Sequence, residues 1–292
     1  NLGLVNTFNV STRGDMYQIA DRDATTVTSD SGNTLFRFYP LINDTVSYPV
    51  AKNLPNAQIV LEPTVALTLS SRSGSSTTIP NEDSQDVQID TTNLFDANRF
   101  PGQDKVEDGA HVTYGLRSGV YADDGSKGEV FFGQSRRLDS QNNPFPVGSG
   151  LSSDASDLVG QMILEYQDLY GLNYRNQFSS DNFQSERHEL DGFVTLGDFT
   201  LSTNYVYARG LEGTDIQESR QQISNSLTYR MAKDWELTTA VRYDLSQTES
   251  GLRSEYVGLN YMGQCFNVLT TVKRNFTDDN TGNNATEFNI QL

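Results

Sequence analysis

Few residues in this chain have the types and spacing that chemistry needs. It holds two histidines, His111 and His188, and one cysteine, Cys265. That set gives no metal-ligand cluster, and one cysteine cannot close a disulfide within the chain. No G-x-S-x-G, G-x-x-x-x-G-K-[ST], H-E-x-x-H or C-x-x-C run occurs. The histidines lie far apart in sequence, no serine has a histidine partner by spacing, and each His reads as a lumen or rim residue. The expectation is therefore no enzyme and no cofactor. One long acidic segment, 73–109, carries Glu82, Asp83, Asp86, Asp90, Asp96, Asp104, Glu107 and Asp108 against Arg99 and Lys105. Oxygen-rich loops can bind Ca²⁺, but the spacing matches no EF-hand, and in DDNTGN at 278–283 the glycine falls one position early. A solvated face is the expectation for these acids. The same segment holds Ile79, Val87, Ile89, Leu94, Phe95 and Phe100, so part of it should fold back onto the body of the protein.

The elements that must position these residues are strands. Hydrophobic residues make up 36% of 292, mean hydropathy is −0.53, yet there are 14 Tyr and 15 Phe. A polar chain rich in aromatics suits one apolar shell around a wet interior. No run approaches the length of an apolar membrane helix, which leaves barrel strands of about 9–11 residues open. A formal charge of −17 argues against non-specific nucleic-acid binding. The opening run NLGLVNTFNVSTRGDMYQIA has no Met, no charged leader and no apolar leader, and already reads as strand. The chain is expected to begin inside a domain.

Alternation runs throughout. Trp235, Leu237, Thr239, Val241, Tyr243 and Leu245 oppose Glu236, Thr238, Ala240, Arg242 and Asp244. Phe266, Val268, Val272 and Phe276 oppose Asn267, Thr271, Lys273 and Asn275 in the same way. About 14 strands are predicted, with one spanning 34–51. Connections alternate between short turns (51–57, 122–129, 166–169, 196–199, 231–235, 262–266) and longer loops (21–33, 72–109, 139–157, 210–217, 278–284). Sorting by parity is what an up-and-down outer-membrane barrel shows, with short turns on the periplasmic side. Alternation alone also fits a soluble extracellular β protein, and loop 73–109 could serve as the constriction of a general diffusion porin.

The sharper signal is IPNEDSQDVQIDTTNLFDANRFPGQDKVEDGAHVTYGLRSGVY at 79–121. Ile79, Pro80, Asn81, Asp83, Asn93-Leu94-Phe95, Asn98, Arg99, Phe100, Gly102, Asp104, Lys105 and Tyr114-Gly115-Leu116 stand in an order that resembles the LPS-assembly protein (LptD) family. Leu61-Glu62-Pro63, FFGQSRRLD at 131–139, YMGQCFNVLTTVKRNF and the final ATEFNIQL resemble it too. The resemblance implies an all-β, antiparallel transmembrane β-barrel in the bacterial outer membrane. This chain would be the C-terminal portion, 1–292, of a barrel of about 26 strands. An N-terminal periplasmic jellyroll and the first barrel strands would lie outside it.

The resemblance further implies lipopolysaccharide transport and assembly into the outer leaflet, through a polar lumen and a lateral seam. The implied partners are lipopolysaccharide, an LptE-type lipoprotein plug, periplasmic LPS-bridge components and outer-membrane lipids. Cys265 would bond to a cysteine of the N-terminal domain. Glu287, Phe288, Asn289 and Ile290 would form one edge of the seam. Glu236, Arg242, Asp244 and Lys273 would face the lumen.

Overall fold

In a computed structural model the alternating segments form strands and nothing else regular. It describes residues 3–18, 34–71, 79, 81–139, 143–210, 218–246, 250–276 and 285–291. Among these there is no helix. The strands are β1 Val5–Gln18, β2 Thr34–Ser47, β3 Val50–Leu54, β4 Ala57–Ser70, β5 Ala110–Ala122 and β6 Lys127–Arg137. They continue as β7 Leu158–Tyr166, β8 Tyr170–Phe178, β9 Ser185–Leu196, β10 Phe199–Ala208 and β11 Arg220–Ala232. The last are β12 Trp235–Asp244, β13 Gly251–Met262, β14 Asn267–Asn275 and β15 Ala285–Gln291.

All join one 15-stranded antiparallel sheet in sequence order, except that β3 pairs only with β4. β2 and β3 together replace the single expected strand. Both pair with β4, and the ladder breaks at Tyr48-Pro49, opposite Glu62-Pro63. A proline has no N–H for the ladder. One bond crosses the break, from Tyr48 N–H to the Pro63 carbonyl at 3.1 Å. Counting that interrupted strand once restores the expected number. β1 and β15 lie at the ends of the order and do not pair with each other, so the sheet is not closed.

Burial is inverted relative to a water-soluble sheet. Phe36 and Phe38 are 77% and 62% exposed, whereas Arg37 between them is 4% exposed. Leu116, Val130, Phe132, Leu201, Leu227, Val257 and Val272 are exposed along the same outer face. Cross-strand pairs such as Leu201↔Leu227 and Val257↔Val272 keep that face apolar from strand to strand. Water would penalise so much open apolar area, and hydrocarbon does not. At the short-turn end the outer face carries aromatic neighbours. Phe199 stacks on Tyr229 at 4.3 Å, and Trp235, Tyr261 and Phe266 follow at 4.9 and 5.5 Å. An aromatic girdle at one level is the mark of a membrane interface.

Candidate functional site: the inner face and its inserted loop

The inner face is polar, and the segment after β4 folds onto it. Side chains acting as local staples shape that segment. The Asn81 side-chain oxygen accepts the Ser84 N–H at 3.0 Å while its amide donates to the Ser84 carbonyl at 2.8 Å. Asp83 accepts the N–H groups of Gln103 and Asp104 at 2.9 and 3.0 Å. Asp104 answers by accepting the N–H groups of Glu82 and Asp83 at 2.8 and 3.2 Å. These reciprocal bonds clasp the two ends of the loop. Gly102 sits at the crossing with φ +84°, where a Cβ would come within 2.6 Å of the Asp83 carbonyl. Only glycine tolerates both conditions. The N–H donors around Asp83 hold its carboxyl below the usual range.

Between the clasped ends the loop reaches the wall. Asn98 accepts the Glu107 N–H at 2.8 Å. Phe100 stacks on Phe145 at 4.5 Å, and Ile89 and Leu94 join Phe131 and Val159 in the main apolar cluster. Arg99 donates to Ser135 Oγ at 3.0 Å and meets Glu107 at 3.2 Å. His111 Nδ1 lies 3.5 Å and Arg137 Nη2 3.9 Å from the same carboxylate. Burial pushes the Glu107 carboxyl up and the Arg99 guanidinium down, while the flanking arginines pull Glu107 back. From β2, Arg37 donates to the Gln103 and Asp104 carbonyls at 2.6 and 2.5 Å, and pairs with Asp15 at 2.7 Å. Tyr39 donates to the Glu107 carbonyl at 2.5 Å. Farther round, Arg187 meets Asp90 at 3.6 Å.

The expectation of a solvated acidic face is therefore corrected at Glu107 and Asp108, which are 3% and 4% exposed. Nothing beside Glu107 in sequence signals Arg137 of the wall, 3.9 Å from its carboxylate. Among the described residues no group of acids and histidines could hold a metal ion. Of the sequence-predicted loop residues, Pro80 and the segment 73–78 lie outside the described residues. Asn81, Asp83, Asn98, Arg99, Phe100, Gly102 and Asp104 all serve the clasp or its contact with the wall. Sequence reasoning missed Arg37, Tyr39, Ser135, Arg137 and Arg187 as their partners. A charged residue between two exposed aromatics, as at Arg37, was the available signal for an inward position.

One serine does find a histidine, against expectation. A bulge between Gln177 and Phe178 leaves Ser185 opposite Phe178, on the face of His188. Ser185 Oγ contacts His188 Nε2, and Tyr174 Oη lies 2.5 Å from Nδ1. A hydroxyl rather than a carboxylate at Nδ1 cannot stabilise an imidazolium as a catalytic triad does. His188 sits on the outer face near the long-loop end, in a rim position. His111 sits on the inner face, under the loop.

Among the described residues the second half of the inner face has no such cover. Glu236 stands opposite Arg230 and Asn260 in the ladder, on the face away from Trp235. Asp244 meets Arg253 at 3.4 Å, and Arg242 is exposed on the same side. Lys273 is a cross-strand partner of Glu287, so the sheet brings a lumen candidate and a seam candidate together. Phe288 and Ile290 face outward, at 65% and 56% exposure. Asn289 alternates with them, on the polar side. Cys265 is exposed with its thiol free, in the turn between β13 and β14.

The motif stretch that builds the clasp falls inside a family match. The model described as LptD, LPS transport system D, matches residues 1–235. The chain belongs to the LptD family. LPS-assembly protein LptD of Saccharophagus degradans is 24% identical over 214 residues, 66% of this chain and 24% of that protein. That of Pectobacterium atrosepticum is 21% identical over 232 residues, 72% of this chain and 29% of that protein. That of Yersinia enterocolitica is 24% identical over 231 residues, 70% and 28%. The chain thus spans under a third of the length of these LptD relatives. A solved Salmonella typhi OmpF, in complex with daunomycin, aligns over 95% of this chain and 91% of its own at 12% identity. The TM-score of that alignment is 0.33.

Proposed function

We propose that this chain is the C-terminal portion of the barrel of a lipopolysaccharide conduit in the bacterial outer membrane. The observation that carries the proposal is the inverted sheet of an LptD family member, apolar and aromatic outside, polar inside. Acyl chains would stay with the apolar exterior while sugars cross the polar lumen. β15, the last strand in the order of the described sheet, forms one edge of a lateral seam with Glu287, Phe288, Asn289 and Ile290. Glu236, Arg242, Asp244 and Lys273 line the lumen. An LptE-type plug would seat against the inner face of β13 to β15. Cys265 bonds to a cysteine of an N-terminal periplasmic domain that receives cargo from the bridge, its exposed short-turn position leaving it open to such a partner.

Depletion of the complete protein, with assay of lipopolysaccharide at the cell surface, tests the proposal. Internal accumulation with surface loss is expected. Unchanged surface lipopolysaccharide with reduced small-solute uptake would replace it with the porin reading. A covalent cross-link from Asn289 to the strand across the seam should block export, and undiminished export would remove the seam from the mechanism.

A further inference from the structure

Beside the inserted loop, the inner face of β7 to β12 opens into a concavity of about 440 Å³. Its size falls within the range of about 300–1,000 Å³ common to small-molecule sites. The floor is made of small residues, among them Gly171, Ser202, Ser226 and Ala240. Phe193 is the aromatic member of the lining. Its ring lies across the cross-strand Gly171, so close that a Cβ there would fall 2.1 Å from a ring carbon. Glycine at 171 therefore lets the ring lie down on the sheet. Around it stand Asn173, Asp191, Asn204 and Ser224. Asn204 donates to Asp191 at 2.6 Å, and Gln161 donates to Asn173 at 2.9 Å, which fixes these amides and the carboxylate in place. Arg175 lies 3.6 Å from Asp191. A carboxylate has about four acceptor sites and an amide two donors, so each keeps capacity for a ligand.

We infer that this concavity is a binding station for a pyranose ring of a glycan. An aromatic face attracts the weakly positive C–H face of a sugar ring, as it attracts other positive edges. Fixed amide, carboxylate and hydroxyl groups match the adjacent ring hydroxyls, which both donate and accept. Assigning the ring to the sugar part of lipopolysaccharide rests on the conduit reading above.

Saturation-transfer NMR on the complete protein in detergent, with delipidated core oligosaccharide as probe, tests the station. Transfer to ring protons is expected with the unaltered protein. Phe193→Leu, which keeps bulk but loses the flat face, should weaken binding about tenfold. Ser224→Tyr, which fills the concavity from the opposite wall and leaves the Phe193–Gly171 contact alone, should do the same. No transfer with the unaltered protein overturns the station, as do variants that bind like it. Binding is read here without lipid A or export. Normal export with no oligosaccharide binding removes the station alone, whereas binding without any role in export leaves the station and removes the conduit.

Discussion

The inner face of this sheet is one surface in two conditions. From β1 to β9 it lies under or beside the inserted loop, and Arg37, Thr68, His111, Thr113, Ser135 and Gln177 are buried there. From β10 to β15 the same alternation places Ser202, Ser224, Ser226, Thr228 and Thr238 inward, and these are only half-buried. Strand pattern does not distinguish the halves. What differs is charge and its compensation. The covered half turns Arg37, Arg137 and Arg187 onto carbonyls and carboxylates of the loop, whereas in the open half Asp244 meets Arg253 and Lys273 stands beside Glu287 on the sheet itself, among short hydroxyl and amide side chains. A polar surface thus becomes a docking wall where its cations reach carboxylates and carbonyls of a loop, and stays a lumen lining where its charges remain on the sheet.

The largest effect that could break this comparison is at Glu107. Glu107→Leu leaves Arg99 buried beside Arg137 without its carboxylate. Removing one partner of a buried pair costs about 3–5 kcal/mol. A marked fall in the unfolding midpoint, read by heat-modifiable gel mobility, is expected, together with protease cleavage within 81–109. An unchanged midpoint would mean the loop is not held by its charges. Next comes Gly102→Ala, which places a methyl against the Asp83 carbonyl at positive φ and should cost about 1–3 kcal/mol. Its cleavage should appear at the clasp while the sheet persists.

Acid sharpens the same contrast. The Asp83 carboxyl is held down by N–H donors, so its contribution is present above the unfolded carboxylate value and is lost as pH falls through the folded one. Loop cleavage should rise on acidification below the usual carboxylate range, while the β10 to β15 side stays unchanged. Asp83→Asn keeps an acceptor without titrating, so the part of the response below the usual carboxylate range should be lost, leaving the part that Glu107 gives at higher pH. A variant with the full acid response would assign that response to another group.

Much of this was legible beforehand, for physical reasons. Strands such as β12 and β14 announce themselves because the side-chain period of two is local. The break at Tyr48-Pro49 was less legible, since it depends on Pro63 of the facing strand as well as on Pro49. The clasp residues stood out as an ordered motif, and Gly102 at a turn is a local demand. Their partners did not stand out. Arg37 of β2 and Arg137 of β6 meet Gln103 and Glu107 only because the loop folds back across the sheet, and no spacing in sequence encodes that. Ser185 reached His188 through a bulge, which shifts register by one residue and hides from any alternation count.

The smallest effect is the finest test, because the same chemistry occurs in both halves. Thr113 donates to Ser135 across β5 and β6 at 3.1 Å, under the loop, and is 2% exposed. Thr228 and Thr238 share a hydrogen bond across β11 and β12 at 3.2 Å, in the open half. Threonine to valine removes a hydroxyl and little else in shape. At Thr113 the Ser135 hydroxyl loses a partner that water cannot reach to replace, so Thr113→Val should cost about 1 kcal/mol or more. At Thr228 lumen water can take the vacated position, and Thr228→Val should stay within about 0.5 kcal/mol. Urea unfolding of the two variants side by side measures the difference directly. Equal costs would mean that water reaches both halves alike, and the loop would then be lying on the wall without sealing it.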